Sequence, residues 1–291
     1  MATAAQWWDG ARPRTLPAAL APVAVGSGVA DLQGSFRPLA ALLALVVALS
    51  LQIGVNYAND YSDGVRGTDD ERVGPLRLTA GGAATAAEVR RAAFLSFAVA
   101  TLAGLVLVVS TQAWWLLLVG AACLLAAWYY TGGSSPYGYR GLGEVSVFVF
   151  FGLVAVTGTA YVQTEQLSQL AVVASVPVGL LAVSLLVVNN LRDVPTDAQS
   201  GKLTLAVRLG APRTRVLYAV LMLVTLLMVV VVAVGWAAWA LLAMAGFVPV
   251  AVPVGAVLGG ATGRDLVPVL RDTGRVQLLV GLLLGIGLAL G

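Results

Sequence analysis

The run Asn56-Tyr57-Ala58-Asn59-Asp60-Tyr61-Ser62-Asp63-Gly64-Val65-Arg66-Gly67-Thr68-Asp69-Asp70 follows directly on a long apolar segment, about residues 39–58. A second run of the same character, Asn189-Asn190-Leu191-Arg192-Asp193-Val194-Pro195-Thr196-Asp197, closes another apolar segment further on. Apolar runs of this length read as membrane-spanning helices, and the Asn/Asp clusters then sit at their ends. The composition points the same way. The chain has 291 residues, of which 59% are hydrophobic and 11% charged, with a mean hydropathy of +0.90. The apolar runs are continuous rather than alternating, which disfavours a β-barrel. The expected fold is all-α: one polytopic membrane helix bundle spanning residues 1–291.

Nine spans are predicted, at roughly residues 15–31, 39–58, 92–110, 113–131, 144–162, 169–189, 215–234, 236–258 and 275–290. The first is Ala-rich and interrupted by Pro17 and Pro22, and the eighth carries Pro249 and Pro253, which predicts a kink. With nine spans and the N-terminus in the cytoplasm, 16 of the 17 Lys and Arg residues fall inside, and only Arg37 falls outside. Positively charged loops stay on the cytoplasmic side, so this split supports a cytoplasmic N-terminus; the expected location is a bacterial inner (plasma) membrane. The opening Trp7-Trp8-Asp9-Gly10-Ala11-Arg12-Pro13-Arg14 lacks a charged stretch followed by an apolar core, so it reads as an interfacial segment and not a cleavable signal.

The outer connections are short. Two inner ones are long, about residues 59–91 and 190–214, and each begins with an Asn/Asp cluster and continues into Gly and basic residues. The clusters follow the second and sixth spans, a spacing that suggests a duplicated four-helix unit plus one further helix.

The composition narrows the chemistry. The chain has no histidine, and its single cysteine, Cys123, lies in an apolar segment. Imidazole catalysis, thiolate metal sites and a disulfide framework are therefore excluded. Oxygen ligands remain, and they suit Mg2+. If the second span continues as helix, Asn56, Asn59, Asp60 and Asp63 share one side of its inner end. Asn189, Asp193 and Asp197 follow an i, i+4, i+8 line, although Pro195 disfavours helix at Val194. Carboxylates crowded at a membrane edge repel one another and are costly to desolvate. Divalent cations relieve both penalties, and two facing sets of carboxylates would hold a diphosphate between metals. Arg77, Lys202 and Arg208 would neutralise phosphate oxygens. Plainer readings apply elsewhere: Asp69, Asp70 and Glu71 as a solvated loop, Arg90 and Arg91 as interface markers, and Trp128, Tyr129 and Tyr130 as an interfacial aromatic belt.

Four stretches resemble the UbiA superfamily of intramembrane aromatic prenyltransferases. They are Ala11–Pro17; Asn59-Asp60-Tyr61-Ser62-Asp63 through Arg77; Pro136-Tyr137-Gly138-Tyr139-Arg140-Gly141-Leu142-Gly143-Glu144; and Asn189–Asp193 through Gly210. Together they are most similar to the members that act on 1,4-dihydroxy-2-naphthoate. The resemblance implies a nine-helix bundle around a cavity capped on the cytoplasmic side. It implies polyprenyl diphosphate as donor and 1,4-dihydroxy-2-naphthoate as acceptor, with decarboxylation to demethylmenaquinone. It further implies that Asp60, Asp63, Asp193 and Asp197 bind Mg2+, with Asn59 and Asn190 orienting them or ligating through their amides. Tyr137, Tyr139 and Arg140 are the candidate acceptor contacts. The broader superfamily often carries another Asp four residues after the second motif Asp. Here that position is Gly67, with Asp69 nearby. The competing readings are the same donor chemistry on another aromatic acceptor and a secondary transporter. Transporter sites usually lie near the bilayer midplane, whereas these clusters lie at span ends.

Overall fold

A computed structural model describes residues 2–68 and 77–291. Asp69, Asp70 and Glu71 lie outside the described residues. Among those described there is no strand. A short helix, α1 (Ala4–Gly10), opens the chain, capped by Thr3, whose side chain accepts from the Gln6 backbone while Gln6 reaches back to the Thr3 backbone. Among the described residues nine longer helices follow: α2 (Pro17–Leu32), α3 (Pro38–Arg66), α4 (Ala86–Thr111), α5 (Leu116–Tyr129), α6 (Gly143–Thr164), α7 (Gln169–Gln199), α8 (Leu205–Gly235), α9 (Ala238–Leu258) and α10 (Leu266–Ala289).

These nine correspond to the nine predicted spans. Seven are long and apolar enough to cross a membrane unaided, and α2 reaches that standard together with the N-terminal segment, bent by 52° at their junction. The helix α5 has 14 residues, so it rises only about 21 Å.

The weak first span has a packing explanation. The residues of α2 are mostly Ala, Val and Gly because the helix is buried among α10, α6, α3 and α7 rather than facing lipid. Helices in a membrane associate by close packing of small residues. The contact between α2 and α10 shows this directly: a Cβ on Gly28 would lie 2.2 Å from the Gly285 carbonyl oxygen. By contrast α5 buries no residue in the bundle.

Prolines act as expected in one span and not in another. In α9 a 3-10 segment, Ala238–Val250, gives way to α-helix at Ala251, just after Pro249. The helix α7, however, runs unbroken through Pro195 to Gln199. The Pro195 ring is exposed, so it stands outside the helix while Asp193 and Asp197 stay buried. The sequence also gave no sign of the π-helical turn Phe148–Val154 inside α6, a feature that often marks functional sites.

Candidate active site

The inner ends of α3 and α7 face a common cavity of about 1210 Å³. On α3, Gln52, Asn56, Asn59 and Asp63 line it. These positions recur every three or four residues, one face of a helix. On α7, Asn189, Asn190, Arg192, Asp193 and Asp197 line it, and the unbroken helix keeps Asp193 and Asp197 on one side. Gly67 ends α3 with φ 73, a left-handed conformation that glycine adopts freely. A helix-closing role therefore explains the glycine at a position where the broader superfamily often has Asp.

Asp63 ties three inner segments together. Tyr139 donates its hydroxyl to Asp63 Oδ1 at 2.6 Å, and Lys202 Nζ lies 3.2 Å from Oδ2. Lys202 also sits over the Tyr139 ring, 4.8 Å from its centre, and the Leu203 N–H donates to the Tyr139 carbonyl at 2.9 Å. Burial, with the Asp63 carboxylate beside it, raises the Tyr139 phenol above the ordinary range, so it stays a donor. On the facing helix, Arg192 grips Asp193 through two bonds of 2.6 and 2.7 Å and donates to Asn189 at 2.9 Å. Asn190 donates its amide to Glu144 at 3.0 Å, and Thr131 donates to the Asn59 amide oxygen at 2.8 Å.

Of the residues singled out from the sequence, Asn59, Asp63, Arg77, Tyr139, Asn190, Asp193, Asp197 and Lys202 line this one cavity. Four do not. Asp60 is buried on the adjoining face of α3, where its carboxylate accepts the backbone N–H groups of Leu78 and Thr79, both at 2.9 Å. Arg208 is exposed and donates to the Leu203 carbonyl at 3.1 Å. Tyr137 turns back to the Ala126 carbonyl at 2.8 Å, and Arg140 is exposed. Helix phase and loop path thus place the side chains of Asp60, Arg208, Tyr137 and Arg140 outside the lining of this cavity.

Residues not singled out from the sequence also face the cavity, among them Arg12, Arg14, Gln52, Arg192 and Arg264. A signal for Gln52 was present, since a polar residue inside an apolar span marks a functional site by default. The α3 end also anchors the N-terminal segment: Asn56 donates to the Ala11 carbonyl at 2.9 Å, and Gln52 donates to Thr15 at 2.9 Å. One part of the cavity wall is apolar, with Val55, Val147, Phe151, Ala182, Leu185 and Leu186, while Asp9, Thr131 and Thr204 add polar groups elsewhere. Arg37, the one basic residue expected outside, pairs with Glu165 beyond the far ends of α2 and α6.

A helical membrane bundle with carboxylates, amides and basic groups converging at one end, above an apolar wall, defines a class: a membrane-embedded site for a ligand with a charged head and an apolar body. The chain belongs to the UbiA prenyltransferase family, whose model matches residues 19–262. It is 52% identical over 294 residues to the 1,4-dihydroxy-2-naphthoate octaprenyltransferase of Mycobacterium tuberculosis, covering 100% of this chain and 99% of that protein. Among solved structures, the apo UbiA homolog of Aeropyrum pernix superposes with a TM-score of 0.71 at 15% identity, covering 92% of this chain and 96% of that one. The UbiA homolog of Archaeoglobus fulgidus bound to GPP and Mg2+ gives 0.66 at 14%, covering 98% and 100%. Both share this chain's fold; the close sequence relative carries the functional comparison.

Proposed function

We propose that this protein transfers a polyprenyl group from polyprenyl diphosphate to 1,4-dihydroxy-2-naphthoate, with loss of the carboxylate as CO2, giving demethylmenaquinone in its hydroquinone form and free diphosphate. The observation that carries this reading is the convergence of Asp63, Asp193 and Asp197 with Arg77, Arg192 and Lys202 on one cavity with an apolar wall. The 52% identity to an enzyme of that name over the full chain supports the acceptor.

The donor set fits Mg2+. Asp63, Asp193 and Asp197 offer carboxylate oxygens, Asn59 and Asn190 amide oxygens, and the chain contains no histidine. Among the described residues no three acidic or thiol groups cluster tightly enough to hold a metal by themselves. That suits Mg2+, which usually binds through one or two carboxylates and completes its shell with water and substrate phosphate. When bound, it offsets the charge of the diphosphate and stabilises it as a leaving group.

The side chains account for the rest. Arg77 and Lys202 meet the phosphate oxygens, while Arg192, held by Asp193 and Asn189, adds positive charge to the same wall. As the C–O bond to the diphosphate breaks, the allylic carbon becomes cationic. The apolar wall of Val147, Phe151 and Leu186 keeps water from it. The electron-rich ring of the acceptor then forms the new C–C bond. Tyr139 is the one candidate acceptor contact that lines the cavity, while Arg12 and Arg14 at its N-terminal rim are cations able to meet the acceptor carboxylate. The positive-inside count supports a cytoplasmic active site in the inner membrane.

The test is to incubate the purified protein with polyprenyl diphosphate, Mg2+ and a panel of acceptors, and to identify products by mass. Product from dihydroxynaphthoate that disappears with EDTA supports the proposal. Product only from hydroxybenzoate or another ring would overturn the acceptor, and no transfer from folded protein would overturn the reading.

A further inference from the structure

Two acids stand in the first motif, and they do different things. On a helix of 3.6 residues per turn, Asp60 lies about 60° round from Asp63 and about 40° from Gly64. That rotation turns Asp63 to the cavity and Asp60 toward the segment 77–80. Asp60 is 1% exposed and does not line the cavity. Its two oxygens are engaged by two consecutive backbone donors, Leu78 to Oδ2 and Thr79 to Oδ1, each at 2.9 Å. Hydrogen bonds from N–H groups to a carboxylate are among the stronger kind.

The segment that Asp60 holds is built to be held. Leu78 is fully buried in a cluster with Tyr57, Ala58 and Ala11. Thr79 lies against Gly64, where a Cβ would come within 2.6 Å of the Thr79 Cβ. The turn is braced by its own backbone bonds, Gly81 to the Arg77 carbonyl at 3.0 Å and Ala84 to the Leu78 carbonyl at 3.0 Å. Arg77 stands at the start of this clamped turn and lines the cavity with Asn59 and Asp63.

We infer that Asp60 is a positioning residue and not a ligand of metal or phosphate: it fixes residues 77–80 against the inner end of α3 and so sets where Arg77 meets the donor diphosphate. The inference rests on the proposed prenyl transfer. For Asp60 to reach a cation in the cavity, its bonds to the Leu78 and Thr79 backbone would have to break and the side chain would have to turn toward the Asp63 face.

The experiment compares the full-length protein with Asp60→Asn, Arg77→Gln and the double variant. It reads KM for polyprenyl diphosphate, kcat and the half-saturating Mg2+ concentration, and, separately, amide hydrogen exchange at Leu78 and Thr79. Asp60→Asn should raise the donor KM about tenfold, and Arg77→Gln should do the same. The double variant should be no worse than threefold beyond either single one. Half-saturating Mg2+ should stay within twofold of wild type, and exchange at Leu78 and Thr79 should quicken at least tenfold. A tenfold shift in half-saturating Mg2+ without faster exchange would overturn the inference, as would multiplicative effects in the double variant. Gly64→Ala covers the case in which Asp60→Asn fails to fold. It displaces Thr79 with Asp60 intact and should give the same rise in KM; an unchanged KM overturns the inference. If the wild type transfers no prenyl group, the functional proposal fails, and the exchange measurement alone decides whether Asp60 holds the segment.

Discussion

Lys202→Met should cost stability in the absence of metal and make Mg2+ a stronger stabiliser than it is for the wild type. Lys202 Nζ lies 3.2 Å from Asp63 Oδ2, with side-chain exposures of 11% and 5%. At an effective dielectric of about 20, unit charges at that separation attract by roughly 5 kcal/mol, most of it offset by the desolvation of both groups. Removing one partner of a buried pair leaves the other uncompensated, at about 3–5 kcal/mol. Tyr139 still donates to Asp63 at 2.6 Å, so the lower end applies, about 3 kcal/mol. For a chain of this size that corresponds to a fall in melting temperature of roughly 6 °C. A divalent cation beside Asp63 replaces the missing positive charge, so adding Mg2+ should recover much of the loss. The assay is thermal unfolding in detergent or nanodiscs, with EDTA and with Mg2+. A variant that melts within 1 °C of wild type in EDTA, or gains no more from Mg2+ than wild type does, would refute the reasoning.

Three further outcomes follow from the geometry. Arg208→Ala and Arg140→Ala should leave donor and acceptor KM within about twofold of wild type, because both side chains are exposed and outside the cavity; steady-state kinetics checks this. Gly285→Leu should abolish accumulation of folded protein, since even a Cβ there would meet the Ala24 carbonyl oxygen at 2.5 Å; fluorescence-detected gel filtration reads the loss. Tyr139 should ionise later than an ordinary phenol, because burial and the Asp63 carboxylate both disfavour the phenolate. Its hydrogen bond to Asp63 should therefore persist through pH 10 and be lost only at higher pH, read as the difference in ultraviolet titration between wild type and Tyr139→Phe.

What could be read from the sequence was set by hydropathy and by spacing along helices. Continuous apolar runs gave the spans because lipid demands them, and the helix continuing through Asn59 and Asp63 gave one wall of the cavity. What was missed depended on packing and on loop path. The helix α2 looked weak because small buried residues lower its hydropathy while improving its fit between neighbours. Pro195 looked like a break, but its ring stands outside the helix near its end. Asp60 and Asp63 looked equivalent, since only the position of residues 77–80 reveals which side of α3 belongs to the cavity. Arg208 looked like a phosphate clamp and Arg140 like an acceptor contact, and no local signal tells that the first turn of α8 and the turn at Tyr137–Arg140 leave them exposed. Arg192 was passed over because its partner is its own neighbour, Asp193, a contact that spacing rules do not anticipate.

The central claim is that the cavity between the ends of α3 and α7 is where the donor diphosphate is released. The most direct measurement is diphosphate release from polyprenyl diphosphate in the presence of acceptor and Mg2+, followed by phosphorus NMR, for wild type, Asp63→Asn and Asp193→Asn. The account predicts release by the wild type and a fall of at least a hundredfold in both variants, each verified as folded. Release at near wild-type rates from either variant would contradict it.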